Sequence, residues 1–259
     1  LGRAKSRMKT EAAQYARYGD PTEVLDVVGV DIGAPDKHEA IIAVEASPIH
    51  NGDLYNIAGA DGFQLPLPRA PEIEGVGRSA ALGSAVEGFR EGDRVVFHCS
   101  SHDSTERHQS GAWQRHVRLS TSGLVPAPAG AAAQLAHSLN AMTADLLLRD
   151  TLDLKKGEWL LQNAANSNVG RYVIALAKLR GYKTANVVRR AGQAAGLTAL
   201  GADVVVVDGP GLAEELVRAT GGAEIGYGVD AVAGDATGRL AECLADGGTI
   251  FTYGLMSGE

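Results

Sequence analysis

The sequence predicts an α/β protein of two parts: a barrel or sandwich of short strands, then a doubly wound parallel sheet. Three observations carry this. The chain changes character near residue 130, from glycine-punctuated short strands to strand–helix alternation. Beyond that point, apolar strand-like stretches alternate with helix-like ones, the pattern of a parallel sheet covered on both faces. A segment of small and polar residues, 162–170, joins the first of these strands to an amphipathic helix.

Composition bounds the rest. A chain of 259 residues fits one large domain or two ordinary ones, at roughly 100–200 residues each. The 33 glycines show no three-residue period, which excludes collagen. The net charge of −7 and pI near 5.5 argue against nucleic-acid binding, which needs a basic surface. No stretch approaches the roughly 18 apolar residues of a membrane span. Two cysteines, Cys99 and Cys243, exclude a disulfide scaffold and suit a cytoplasmic protein. Residues 1–7 read as a leader or tag, with Met8 as a natural start.

In the first part, strands are expected at 40–46, 75–83, 93–97 and 113–119, separated by glycine turns. Pro126, Pro128 and Gly130 mark a boundary, giving domains 8–129 and 130–259. In the second, strands are expected at 158–163, 185–188, 203–208, 229–232 and 249–253. Helices are expected at 169–179, 192–200, 212–220 and 238–244, with Gly201 and Gly221 just past two of their ends. The runs 146–148 and 204–207 read as packing. A doubly wound dinucleotide fold has six parallel strands, and five are read here, so a truncated chain is expected.

The strongest local signal is 162–170. Its position puts a pyrophosphate at a helix N-terminus. The glycine triplet of the usual fingerprint is replaced by Ala164, Ser167 and Gly170, small residues that still let a backbone approach phosphate. Asn168 and Val169 supply amides. Arg189 and Arg190 follow the second strand, where an acid would select NAD and an arginine accommodates the 2′-phosphate of NADP. His50, Asp53 and Tyr55 suit acid–base roles, although Asp53 as a helix cap explains that residue equally. His98, Cys99, His102, Asp103 and His108 have zinc-like spacing, but a solvated loop is the simpler reading.

With these residues in place, the chain resembles the medium-chain dehydrogenase/reductase superfamily over residues 8–259. The resemblance rests on 74–77 leading to 82–86, then 92–95, 111–113, 140–144, 162–170, 186–190 and 247–254. Within it, the chain is most similar to the zinc-free branch of mitochondrial-type enoyl-thioester reductases and quinone reductases, chiefly through 162–170 and Tyr253-Gly254. This implies a GroES-like barrel and a Rossmann domain with the active site between them. It also implies NADPH as cofactor, Asn140, Tyr253 and Gly254 among the residues that bind it, and Thr143 beside the nicotinamide. Zinc relatives bind metal at positions matching His50, Ile73 and Leu139; only His50 carries a ligand atom, so no metal is expected. Enoyl reductases place a functional tyrosine at a position matching Asp61 here, and Tyr55 lies six residues earlier.

The resulting expectation is an NADPH-dependent, zinc-independent oxidoreductase acting on an enone, an enoyl thioester or a quinone. His50, Tyr55 and Thr143 are its catalytic candidates. The expected partners are a small-molecule substrate and, in the full-length form, a second copy of the chain, with neither nucleic acid nor membrane. The alternatives are a non-catalytic NADPH-binding redox sensor or structural protein, and a zinc alcohol dehydrogenase, which Ile73 and Leu139 disfavour.

Overall fold

The computed structural model describes residues 8–60, 65–99, 111–128 and 133–257. The chain divides into two compact units, Leu1–Ser138 and Leu139–Glu259.

The first unit opens with β1 (Lys9–Tyr15) and β2 (Leu25–Asp31), an antiparallel pair in register from Lys9↔Asp31 to Tyr15↔Leu25. Between them lies the single turn α1 (Pro21–Val24), capped by Asp20 accepting from Thr22 N. Then come β3 (Glu39–Ala46), α2 (Asn51–Ala58), β4 (Glu74–Leu82), β5 (Arg94–His98), β6 (His116–Ser120) and β7 (Leu124–Pro126). These five strands form an antiparallel sheet in the order β6-β3-β4-β5-β7. Ile42, Val95, Phe97, Val117 and Leu119 make its core. Burying each such side chain contributes about 1.5–3 kcal/mol. Gly77 lets β4 lie close to β3, since a Cβ there would sit 2.3 Å from Ala43 O.

The expected strand at 113–119 begins later, at His116. Gln114 instead makes an isolated bridge to Ala12 of β1. β1, β2 and β7 were not among the expected strands. β2 is mostly exposed or half-buried, so its alternation carries little signal, and β7 has three residues.

Helix α3 (Ser138–Leu146) begins at the last residue of the first unit and, in the second, runs into a π-helical turn, Leu147–Thr151. The alternation follows: β8 (Trp159–Gln162), α4 (Asn168–Arg180), β9 (Lys183–Val188), α5 (Ala194–Leu200), β10 (Val204–Val207), α6 (Leu212–Thr220), β11 (Tyr227–Asp230), α7 (Asp235–Ala241) and β12 (Thr249–Thr252). All five strands are parallel, in the order β10-β9-β8-β11-β12. The order reverses direction between β8 and β11. α4 buries Val173, Ile174 and Ala177 and stops at Gly181, which adopts φ 79. Gly201 and Gly221 end α5 and α6 in the same left-handed way.

Two elements sit earlier than expected. β11 ends at Asp230 because that carboxylate accepts from Val232 N and Ala233 N and turns the chain out of the strand. α7 then starts at Asp235, three residues before the expected 238. Of the two apolar runs read as packing, Val206 is buried while the other β10 valines are half-buried, because β10 is an edge strand. Leu147 and Leu148 are buried, whereas Leu146 faces solvent. Among the described residues, no helix is long and apolar enough to cross a membrane.

Candidate functional site

In the second unit the carboxyl ends of β8 and β11 lie side by side at the switch in strand order, where open α/β sheets bind ligands. β8 leads directly into 162–170. Ala164 takes φ 44, a left-handed turn unusual for a residue with a Cβ. Ser167 caps α4, its Oγ accepting from Gly170 N at 3.1 Å. Gly170 is buried against the preceding turn, where a Cβ would lie 2.6 Å from Ala165 O. Asn168 and Val169 therefore open a helix whose first amides lack intrahelical carbonyls and whose dipole favours an anion.

Asp230, fully buried, anchors the strand ends. It accepts from Asn163 Nδ2 at 2.5 Å, Thr237 Oγ1 at 2.5 Å and Thr252 Oγ1 at 3.3 Å, besides the two backbone amides. Burial pushes its carboxyl up, but the bonds from Thr237, Asn163, Val232 and Ala233 outweigh burial and leave it lowered.

Tyr253 follows β12. Burial, then the Asp230 charge, pushes its phenol up to about 12, and only nearby Ser167 pulls it down. Its Oη is buried without a hydrogen-bond partner of good geometry. Gly254 abuts Ala231, where a Cβ would lie 2.6 Å from the carbonyl oxygen. Arg189 and Arg190 stand exposed directly after β9. Asn140 and Thr143 are half-buried on α3, and Thr143 Oγ1 donates to Leu139 O at 2.9 Å. This set fits a phosphorylated dinucleotide: a helix N-terminus at the switch in strand order, a buried tyrosine hydroxyl near Ser167, and two exposed guanidinium groups.

The first unit holds a second cluster. His50 precedes α2, and its backbone N–H donates to Asp53 Oδ2 at 2.8 Å, so Asp53 closes the helix start. His50 Nε2 lies 2.8 Å from Glu74 Oε1 and 3.8 Å from Glu72 Oε2. Glu74 Oε2 in turn accepts from Ser138 Oγ at 2.8 Å, and Ser138 Oγ lies 3.0 Å from His98 Nε2. A buried carboxylate thus links two half-buried histidines. The Glu74 hydrogen bond raises the His50 pKa above its ordinary value; burial opposes this, and the charges of Glu72, Glu74 and Asp53 reinforce it.

Glu72 takes φ 71, a strained choice for this residue type and one that clusters at functional sites. The turn folds its side chain back, so Oε1 accepts from Ile73 N at 2.7 Å and Glu74 N at 2.9 Å. Burial, and then Asp53, push its carboxyl up to about 8, against the Glu74 amide and His50. Ile73 packs on the barrel core instead.

Of the three positions matched to the zinc ligands of relatives, His50 alone carries a ligand atom. Ile73 and Leu139 offer no ligand atom, but Glu72 and Glu74, on either side of Ile73, bring carboxylates to His50. Asp53 acts as the helix cap foreseen for it. Tyr55 is half-buried on α2. Cys99 is buried, and burial, with the Glu72 charge, pushes its thiol up to about 12, so it is inert. Asp61, His102, Asp103 and His108 lie outside the described residues. The reading missed Glu72, Glu74, Ser138, Asn163 and Asp230. For Asp230 a signal existed: an acid ending an apolar strand of a parallel sheet.

Comparison with known proteins gives consistent matches. Residues 36–138 match the alcohol dehydrogenase GroES-like domain, and 168–259 match the zinc-binding dehydrogenase family. The mitochondrial enoyl-[acyl-carrier-protein] reductase of Dictyostelium discoideum is 32% identical over 264 residues, covering 96% of this chain and 72% of that protein. The human enzyme of the same name is 31% identical, covering 96% of this chain and 66% of its own length. Escherichia coli quinone oxidoreductase, solved with NADPH, superposes with TM-score 0.82 at 27% identity, covering 96% of this chain and 73% of that one. The Etr1p/NADP/crotonyl-CoA complex gives TM-score 0.79 at 25% identity, covering 96% and 76%.

Proposed function

The chain belongs to the medium-chain dehydrogenase/reductase superfamily, in its zinc-free branch, and we propose from that premise how its residues work. It is an NADPH-dependent, zinc-independent oxidoreductase that reduces an activated C=C bond, as in an enone or enoyl thioester, or a quinone. The observation that carries this reading is the β8–α4 turn, where Ser167 caps the helix and Gly170 packs closely on Ala165 at the switch in strand order.

NADPH, when bound, supplies a hydride from its nicotinamide C4. Ala164, Ser167, Asn168, Val169 and Gly170 would hold the pyrophosphate. Arg189 and Arg190 pair with the 2′-phosphate by charge-assisted hydrogen bonds. Asn140, Tyr253 and Gly254 would complete the cofactor residues. Thr143 would serve the nicotinamide, as the family resemblance implies. His50, oriented by Glu74, gives the proton that the reduced acceptor needs, with Tyr55 as the second donor.

In this reading 8–129 is the substrate domain and 130–259 the cofactor domain. The acidic pI argues against nucleic-acid partners, and the scarce cysteines suit a reducing compartment such as the cytoplasm. The test is a panel of enones, quinones and enoyl thioesters scored by NADPH oxidation, with and without a chelator. Turnover of at least one class, unchanged by the chelator, is expected. NADPH binding with no turnover of any acceptor would favour the non-catalytic reading instead.

A further inference from the structure

A chain of buried amide groups runs beneath the start of α4. Gln162 and Asn186, both 0% exposed, face each other in register on β8 and β9. Gln162 Nε2 donates to Asn186 Oδ1 at 2.7 Å and to Gly170 O, in the first turn of α4, at 3.1 Å. Asn186 Nδ2 donates to Thr184 Oγ1 at 3.0 Å and to Val204 O of β10 at 2.9 Å. One hydrogen-bonded chain therefore joins α4 to three strands. The layer around it is apolar: Leu160 clusters with Val173, and Val188 with Ile174. An apolar pair of similar shape would suit that layer as well, because hydrogen bonds only roughly offset the cost of burying amides. Gln162 Oε1 is moreover buried without a hydrogen-bond partner among the described residues. Stability alone does not account for the pair. Direction does, since hydrogen-bonded amides fix the angle and distance of the elements they join.

We infer that Gln162 and Asn186 are positioning residues that hold the first turn of α4 at a fixed separation from the end of β9. The inference rests on the NADPH reading, in which that turn takes the pyrophosphate and Arg189 and Arg190, directly after β9, take the 2′-phosphate. A second tie runs the same way, from Ala165 N to Val187 O at 3.2 Å. A ligand held at two points gains affinity only where the two subsites stand at the ligand's own spacing. A preset spacing also spares the cost of ordering the subsites at binding. Gln162 and Asn186, too buried to touch the cofactor, thereby set the preference for NADPH over NADH.

The test is calorimetric titration of NADPH, NADH and adenosine 2′-monophosphate into the parent and the Gln162→Met/Asn186→Leu double variant. The two substitutions keep shape and remove both amides together, so neither amide is left facing an apolar group. NADPH should bind roughly tenfold more weakly, a large part of one charge-assisted contact. NADH and adenosine 2′-monophosphate should bind nearly as they do to the parent, so the preference for NADPH falls while the arginine subsite stays intact. A purely structural role would weaken all three ligands together. In crystals of the parent with and without NADPH, the separation of the Gly170 and Val188 Cα atoms should agree within about 1 Å. This readout needs no variant to fold. An unchanged ratio of NADPH to NADH affinity, a parallel loss of all three ligands, or a larger shift in the crystals would each overturn the inference. No NADPH binding by the parent would remove the cofactor reading itself, and the inference with it.

Discussion

Asn163 donates its side-chain amide to Asp230 Oδ1 at 2.5 Å, joining residues 67 positions apart where β8 and β11 run side by side. Asn163 Oδ1 accepts from Ala231 N at 2.8 Å, so one amide side chain binds both the Asp230 carboxylate and the backbone that follows it. The ends of two parallel strands are thereby fixed just beneath the turn that opens α4. A site built on such rigid strand ends holds its geometry better than one carried by loops alone.

Asp230→Asn tests that anchor. The folded-state pKa of Asp230 is depressed below 3.8, so its stabilising contribution is complete above the unfolded value. It is lost as pH falls through the lower folded value. The variant should lose about 3 kcal/mol at neutral pH, as expected for disturbing a buried charged network. Urea unfolding at several pH values should show this difference shrinking below pH 3.8. A difference independent of pH would refute the assignment.

Gly170→Ala should destabilise the fold by about 1–3 kcal/mol and weaken NADPH binding, because the new methyl would meet backbone atoms that cannot rotate away. Gly196→Ala in α5 is the matched control. Nothing lies within 4 Å of that position, so alanine should stabilise by about 0.4–1 kcal/mol. Thermal melts and cofactor titrations check both.

Arg189→Ala/Arg190→Ala should weaken NADPH by roughly ten- to a hundredfold, the size of one or two charge-assisted hydrogen bonds, and leave NADH nearly unchanged. Both side chains are exposed, so stability should hold. Equal losses for the two cofactors, measured by fluorescence titration, would remove the 2′-phosphate assignment.

His50→Gln should lower kcat by about 10²–10⁴, the usual scale of general acid catalysis, with NADPH affinity retained. Steady-state assays on the best acceptor of the panel decide it. Unchanged kcat would assign the proton to Tyr55 or to solvent.

The sequence by itself determined the two-part architecture, the parallel strand–helix alternation and the cofactor turn. These rest on local periodicity and on residues adjacent in the chain. The run from Gln162 to Gly170 needs only its own neighbours to form a strand, a cap and a helix start. Tertiary structure alone decided which strands are edges, where β11 stops, and what surrounds His50. β10 reads as apolar throughout, yet its place at the sheet edge leaves most of it half-buried. Glu72 and Glu74 are unremarkable in sequence. A left-handed turn at Glu72 and the pairing of β4 with β3 and β5 carry them to His50 and Ser138. Asn163 and Asp230 meet only because parallel strands distant in sequence lie adjacent in the sheet. Such contacts join residues 22 to 67 positions apart, so no local pattern encodes them.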